Sequence, residues 1–253
     1  MDHLSCENIS VQFGGVSACS DISLGVKEGQ VSGLIGANGA GKTTLFNVLT
    51  RFQASEAGHV YFKGQNIDDK KPHDMAALGV TRTFQNINLF KDQTTLNNIL
   101  IGAHQRIGNP FSNMFSFPGA RRNEAKLVAQ AHEISELLGL EDHLDTLAGN
   151  LPYGHLKRVE LARALASNPQ VVLLDEPVAG CNDEETEDLK KSIRDLNQKL
   201  GITFLLVEHD MSMVMESCDY IYVINFGRNL AEGTPLEIQG NQEVIKAYLG
   251  EEE

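Results

Sequence analysis

Residues 31–44 read VSGLIGANGAGKTT. Val31 to Ile35 form a short apolar run of strand character. Gly36-Ala37-Asn38-Gly39-Ala40-Gly41-Lys42-Thr43 then match G-x-x-x-x-G-K-[ST], and the helical run TTLFNVLT comes next. Strand, glycine-rich turn and helix in this order form the context in which such a turn cradles phosphate. The glycines let successive backbone N–H groups face one anion, and the helix N-terminus adds its positive dipole end. Lys42 supplies a full charge to the β- and γ-phosphates, and Thr43 a hydroxyl for Mg²⁺.

A second segment completes the chemistry. VVLLDE (171–176) reads as a buried strand, Val171 to Leu174, ending in Asp175, a metal partner, and Glu176. A carboxylate one residue past the metal-holding aspartate can orient or deprotonate a water attacking the γ-phosphate. ITFLLVE (202–208) is another short β-branched run beside a helical pattern, as buried parallel strands are. It closes on Glu208-His209-Asp210, so His209 is expected at the C-terminal edge of the sheet, where ligands bind in such folds.

The rest of the chain bounds this reading. Its 253 residues are 42% hydrophobic and 22% charged, a globular composition. The uncharged stretch from Ile107 to Ala120 is broken by two prolines and two glycines and falls short of the roughly 20 apolar residues a membrane span needs. MDHLSCEN lacks the basic-then-apolar order of a secretory signal, so the expected compartment is the cytoplasm. Cys6, Cys19, Cys181 and Cys218 form no CxxC pair, which favours ordinary packing over a disulfide framework or zinc site. A net charge of −13 argues against nucleic acid as a partner, so nucleotide must be held by local positive groups.

Short strand runs alternating with helical patterns favour an α/β fold. LSCENISVQF and DISLGVKEGQVSGLIG read as strands, and GHVYFKGQNI (58–67) as a hairpin turning at Lys63-Gly64. From about Thr94 to Leu165 the pattern is helical, with Leu127, Ala131, Ile134 and Leu138 on one face and Gly139 as a stop. Asn182 is placed to cap a helix with a stripe of Leu189, Ile193, Leu196 and Leu200, and Thr234-Pro235-Leu236-Glu237 forms a capping box. Asn241 to Leu249 reads as a closing helix. The acidic run Asp183, Glu184, Glu185, Glu187 and Asp188 is expected to be solvated and dipole-facing rather than metal-binding. LPYGHLKRVELARALA (151–166) is an amphipathic helix in which Pro152 and Gly154 are expected to set a turn before the helix begins.

GANGAGKTT, Thr83-Phe84-Gln85, LPYG-x-x-KRVELARAL, VVLLDEP and VEHD, in this order and across the whole chain, resemble the nucleotide-binding subunit of an ABC transporter. GVTRTFQNINLF, EPVAG, LLVEHDM and the ending GTPLEI…VIKAYLG resemble the branched-chain amino acid uptake family, in the longer-insert type of its two ATPases. The resemblance implies a P-loop NTPase (RecA-like) core over 1–91 and 166–253, with an N-terminal antiparallel β subdomain and an inserted helical subdomain near 92–165. It implies ATP and Mg²⁺ as cofactors. Phe13 would stack on adenine, and Gly36, Asn38, Gly39, Ala40, Gly41, Lys42, Thr43 and Thr44 would hold the phosphates. Thr43, Gln85 and Asp175 would serve the metal, with Glu176, His209 and Gln85 catalytic. Tyr153 and Gly154 would face the ATP of a second ABC ATPase subunit, identical or paralogous, with Ala179 to Asn182 as the intervening D-loop. Integral-membrane permease subunits would be the further partners, and the inner face of the cell membrane the site of work.

The general signature of that family is LSGGQ. Pro152, Tyr153, His155 and Leu156 depart from it here, although LPYG is a form shared by branched-chain-type members. Pro152 donates neither hydroxyl nor N–H, so phosphate contact would lean on Gly154, the next N–H groups and the helix dipole. Slower rather than absent turnover is expected, one lost phosphate contact being worth a few kcal/mol at most. Restoring glutamine at 155 and 156 is expected to raise dimer-dependent activity. Phe111, Met114, Phe115 and Phe117 suit either contact with a membrane subunit or packing of a loop. The leading function is an ATPase subunit powering an importer of branched-chain or other amino acids. An alternative is an ATP-gated dimerising module with a soluble partner, although two fused cassettes or a coiled-coil insertion, usual there, are missing. A kinase or GTPase reading lacks N-K-x-D and leaves LPYG and His209 without a role.

Overall fold

A computed structural model describes residues 2–84, 87–104 and 118–249, with the side chains of 118–123 and 248–249 excepted. Gln85 and the aromatic cluster at 111–117 lie outside the described residues. Two sheets organise the described residues. The first is antiparallel, in the order β2-β1-β4-β5, from β1 (Asp2–Phe13), β2 (Val16–Lys27), β4 (Ala57–Phe62) and β5 (Gln65–Asn66). Lys63 and Gly64 join the last two with φ of 50° and 75°, the doubly positive turn whose twist suits a two-residue hairpin.

The second sheet runs β10-β9-β3-β8-β7-β6, from β3 (Val31–Ile35), β6 (Val80–Arg82), β7 (Val171–Asp175), β8 (Thr203–Val207), β9 (Tyr220–Asn225) and β10 (Arg228–Gly233). Its pairs are parallel except for β9 with β10. The central strands are buried on both faces, as parallel strands covered on each side must be. Val171, Leu173, Leu205 and Val207 face one core with Phe46, Leu45 and the first sheet. Val172, Leu174, Phe204 and Leu206 face the other, among helical residues.

The α-helices of the described residues are α1 (Lys42–Leu49), α2 (Pro72–Leu78), α3 (Thr95–Gly102), α4 (Pro118–Leu137), α5 (Tyr153–Leu165), α6 (Asp183–Leu200), α7 (Met211–Ser217), α8 (Pro235–Gln239) and α9 (Gln242–Leu249). Leu127, Ala131, Ile134 and Leu138 are buried along one side of the 118–138 stretch, and Gly139 ends it at φ 62°. The ends of the helical insertion are zipped together: Thr95 N–H donates to Thr146 O and Ala148 N–H to Gln93 O, each at 2.9 Å.

Two expectations change. Leu200 does not complete the α6 stripe, being 50% exposed. The last buried position is Asn197, whose amide donates to Gly29 O and Ile202 O, both at 2.8 Å, so the final turn overhangs the core edge. The Pro152–Gly154 turn does not precede the helix either. Pro152 is the N-cap residue of α5, where its missing N–H costs nothing, and Gly154 lies within the first helical turn.

Candidate active site

The parallel register aligns the C-terminal ends of three strands: Leu34 pairs with Val207, and Val207 with Asp175. The segments leaving these strands therefore meet at one edge of the sheet: the 36–43 loop after β3, Glu176 after β7, Glu208 and His209 after β8. This is the edge at which parallel α/β sheets bind ligands.

Two glycines in the loop are required by space. A Cβ on Gly36 would meet Ile224 O at 2.3 Å, and one on Gly41, at φ 102°, would meet Ala18 O at 2.3 Å. Gly41 is also the N-cap residue of α1 and has no side chain to occupy the first-turn N–H groups. Those groups lack intrahelical acceptors and remain available to an anion. Lys42 folds over the loop, with Nζ donating to Gly36 O at 2.6 Å and Ala37 O at 3.0 Å. Burial lowers its pKa, opposed by the attraction of Glu176 and Asp175. A buried ammonium ringed by carbonyls and free helix donors suits a polyphosphate. Asn38, Gly39 and Thr43 are exposed, Thr44 is half-buried and Ala40 buried. Phe13 presents an exposed ring at the β1–β2 turn, and β2 packs on the loop through Ala18.

Glu176 takes φ 49°, a left-handed conformation that costs a non-glycine residue of order 1–3 kcal/mol. Its N–H donates to Val207 O at 2.9 Å, which holds the strained turn on the neighbouring strand. The carboxylate lies 4.0 Å from Nδ1 of the exposed His209. Beside them sits Glu208, fully buried, accepting from Val178 N–H at 3.0 Å and from its neighbour His209 N–H at 3.2 Å. Burial raises its pKa despite those bonds. Sequence reasoning gave Glu208 no role; its position directly before the histidine at a strand end was the available signal.

Asp175 is buried, and Oδ2 accepts from Arg82 at 2.6 Å. No hydrogen bond among the described residues involves Oδ1. That oxygen and the exposed Thr43 hydroxyl are hard donors of the kind Mg²⁺ takes. Arg82 is a second residue the sequence reading passed over.

No hydrogen bond among the described residues joins Tyr153 or Gly154 to the 36–43 loop. Instead Tyr153 Oη donates to Ala179 O at 3.1 Å, and its ring lies where a Cβ on Gly180 would meet it at 3.0 Å. Gly154 N–H donates to Glu185 Oε1 at 3.0 Å, while Glu185 Oε2 accepts from Asn182 N–H at 3.0 Å and Asn182 Oδ1 from Glu185 N–H at 2.9 Å. Lys157, on the next turn of α5, donates to Glu176 O at 3.4 Å. The start of α5 is thus latched to residues 176–185 of its own chain. Glu185 lies in the first turn of α6, as expected from the acidic run, but it is half-buried and its carboxylate bridges two backbone N–H groups. Glu187 and Asp188 are also engaged, with Lys190 and Arg158 respectively. His155 packs edge-on against His143, and Leu156 packs against the core.

Residues 19–179 match the ABC transporter family, and residues 228–253 match a family described as branched-chain amino acid ATP-binding cassette transporter. The chain is 43% identical over 249 residues to the high-affinity branched-chain amino acid transport ATP-binding protein BraF of Pseudomonas aeruginosa, covering 98% of each chain. It is 40% identical over 249 residues to LivG of Escherichia coli, again with 98% of each covered. Among solved structures, the ADP conformation of an ATP-binding cassette of an ABC transporter superposes with a TM-score of 0.86 at 36% identity, covering 99% of this chain and 100% of that one. The chain belongs to the ABC transporter family of ATPases, in the branch of the branched-chain amino acid ATP-binding cassettes.

Proposed function

We propose that this ATPase drives an importer of branched-chain or other amino acids, working as one of two cassettes bound to separate membrane subunits on the cytoplasmic face. The observation that carries this reading is the meeting of the 36–43 loop, Asp175, Glu176 and His209 at one sheet edge. The start of α5, bonded to residues 176–185 beside that edge, is the turn offered to a second copy or a paralogue.

In this scheme the 36–44 loop, with Lys42, holds the phosphates of ATP, and Phe13 supports the adenine. Asp175, Thr43 and Gln85 would hold Mg²⁺, which supplies charge neutralisation at the β- and γ-phosphates. Glu176 takes the proton of the attacking water, and the bond from its N–H to Val207 O holds the turn that carries it. His209 donates to the γ-phosphate oxygen as negative charge gathers there. Tyr153 and Gly154 present the start of α5 to the ATP of the partner subunit, with the helix dipole supplying what Pro152 cannot donate.

Membrane attachment is supported by a groove of about 320 Å³ whose lining includes Phe52, Phe84, Ile101 and Arg163. Its exposed aromatic and aliphatic side chains suit a short helix from a membrane subunit. No described helix is long and apolar enough to cross a membrane. Co-expression with candidate membrane subunits tests the reading. Co-isolation and transport-stimulated ATP hydrolysis are expected, whereas a soluble partner alone would favour an ATP-gated module without transport.

A further inference from the structure

Phe226 stands where local chemistry disfavours an aromatic residue. It shares with Gly227 the centre of the turn between β9 and β10, across which Asn225 pairs with Arg228. The two take φ of 45° and 73°, the doubly positive turn that asparagine followed by glycine fits best. A bulky residue at positive φ is strained, and this one is 87% exposed, so its ring adds nothing to the core. The turn is nonetheless fixed to the phosphate loop. Gly227 N–H donates to Ala40 O at 3.0 Å, and Gly227 O accepts from Ser20 N–H at 2.6 Å. A Cβ on Gly227 would meet Ala18 O at 2.8 Å. Two residues further along β10, Asn229 exchanges hydrogen bonds with the backbone of Ser23, each at 2.9 Å. From Asn229 back to Gly227 the partners on β2 thus fall from Ser23 to Ser20 and Ala18, toward Val16 and Phe13. Continued by one residue, that course brings Phe226 to the side of the loop where Val16 and Phe13 are also exposed.

We propose that Phe226 is a second aromatic wall for the nucleotide base: from the β9–β10 turn its ring meets the purine that Phe13 meets from the β1–β2 turn. The inference rests on the reading of the 36–44 loop and Phe13 as the nucleotide site. A polyphosphate seated on the loop leaves its nucleoside outside it, beside the two segments that border the loop, one through Ala18 and the other through Gly227. Strained residues persist where surrounding bonds over-determine them and a ligand uses their position, and the bonds of Gly227 supply that constraint here. Stacking uses the face of a ring rather than its hydrogen-bonding edge. Phe226 therefore favours large bases over small ones without distinguishing adenine from guanine.

The test titrates the full chain with ADP, UDP and inorganic pyrophosphate by calorimetry. Phe226→Asn installs the residue that the turn prefers, so it is expected to raise Tm by about 2–4 °C. The same variant should weaken ADP about 5–100-fold, weaken UDP less, and leave pyrophosphate within about twofold of wild type. Phe226→Tyr, which keeps the ring, should retain ADP affinity within about twofold. The chain contains no tryptophan, so Phe226→Trp places a single indole at the turn. Its fluorescence should change on adding ADP and stay constant on adding pyrophosphate. Should Phe226→Asn fail to fold, the tyrosine and tryptophan variants carry the test. Unchanged ADP affinity in Phe226→Asn, or an indole signal indifferent to ADP, would overturn the proposal. So would equal losses for ADP and pyrophosphate, which would mean that the turn shapes the phosphate loop and does not touch the base. Wild-type protein that bound neither ADP nor pyrophosphate would instead refute the nucleotide-site reading beneath it.

Discussion

Gly154→Ala is expected to change sign depending on what stands at 185. A Cβ built on Gly154 meets Glu185 Oε1 at 2.5 Å, Cδ at 2.6 Å and Cγ at 2.7 Å, so the nearest obstacles all belong to one side chain beyond its own Cβ. The carboxylate must leave, and with it go its bonds to Gly154 N–H and Asn182 N–H. A hydrogen bond to a charged acceptor is worth about 1.5–3 kcal/mol, against a gain of up to about 1 kcal/mol for alanine over glycine in a helix. With two such bonds lost, a net loss of about 2–5 kcal/mol results, or a fall in Tm of roughly 4–20 °C at about 2–4 °C per kcal/mol for a chain of this size. In Glu185→Ala the obstacles are gone and only the helix gain remains, so adding Gly154→Ala should raise Tm. Thermal unfolding of the four proteins of this double-mutant cycle measures both signs. If Gly154→Ala lowered Tm equally in both backgrounds, Glu185 would not be the reason for glycine at this position, and the latch between α5 and 176–185 would be wrong.

Two further outcomes are expected. Burial raises the folded pKa of Glu208 above its ordinary 4.5, so this group favours folding at acid pH, and that contribution is lost as pH rises through the folded value. Glu208→Gln should therefore gain stability relative to wild type as pH rises from about 4 toward neutrality; a pH-independent difference in chemical unfolding would contradict this. Restoring glutamine should act unequally at 155 and 156. His155 packs edge-on against His143, so His155→Gln is expected to be tolerated and to raise ATPase activity, whereas Leu156→Gln places an amide against the core at about 1–2 kcal/mol. Equal stability of the two variants would refute that distinction.

Much of the fold is readable in short segments because local rules and burial agree there. VSGLI, VVLLD and TFLLV are strands that nothing but a doubly covered sheet would bury, and Asn182, Gly139 and Thr234 mark helix ends by their own chemistry. The phosphate loop is legible from spacing alone. What escaped the sequence depends on pairing across distance. Arg82 and Asp175 are 93 positions apart, and Gly154 and Glu185 are 31 apart. A charged residue within an acidic run carries no mark of which backbone N–H it will meet. Pro152 and Gly154 misled for the opposite reason: each favours a turn locally, but proline is at home at a helix start and the glycine is there to admit Glu185.

In the proposed cycle Glu176, held in its strained turn 4.0 Å from His209, is the group that activates water for ATP hydrolysis. Replacing it with glutamine keeps size and hydrogen bonding while removing the base. Single-turnover hydrolysis of pre-bound ATP by Glu176→Gln measures this directly. Nucleotide affinity within a fewfold of wild type, a stabilised ATP-bound dimer and a hydrolysis rate lower by about 10²–10⁴-fold are predicted. Hydrolysis at the wild-type rate would contradict the role given to Glu176.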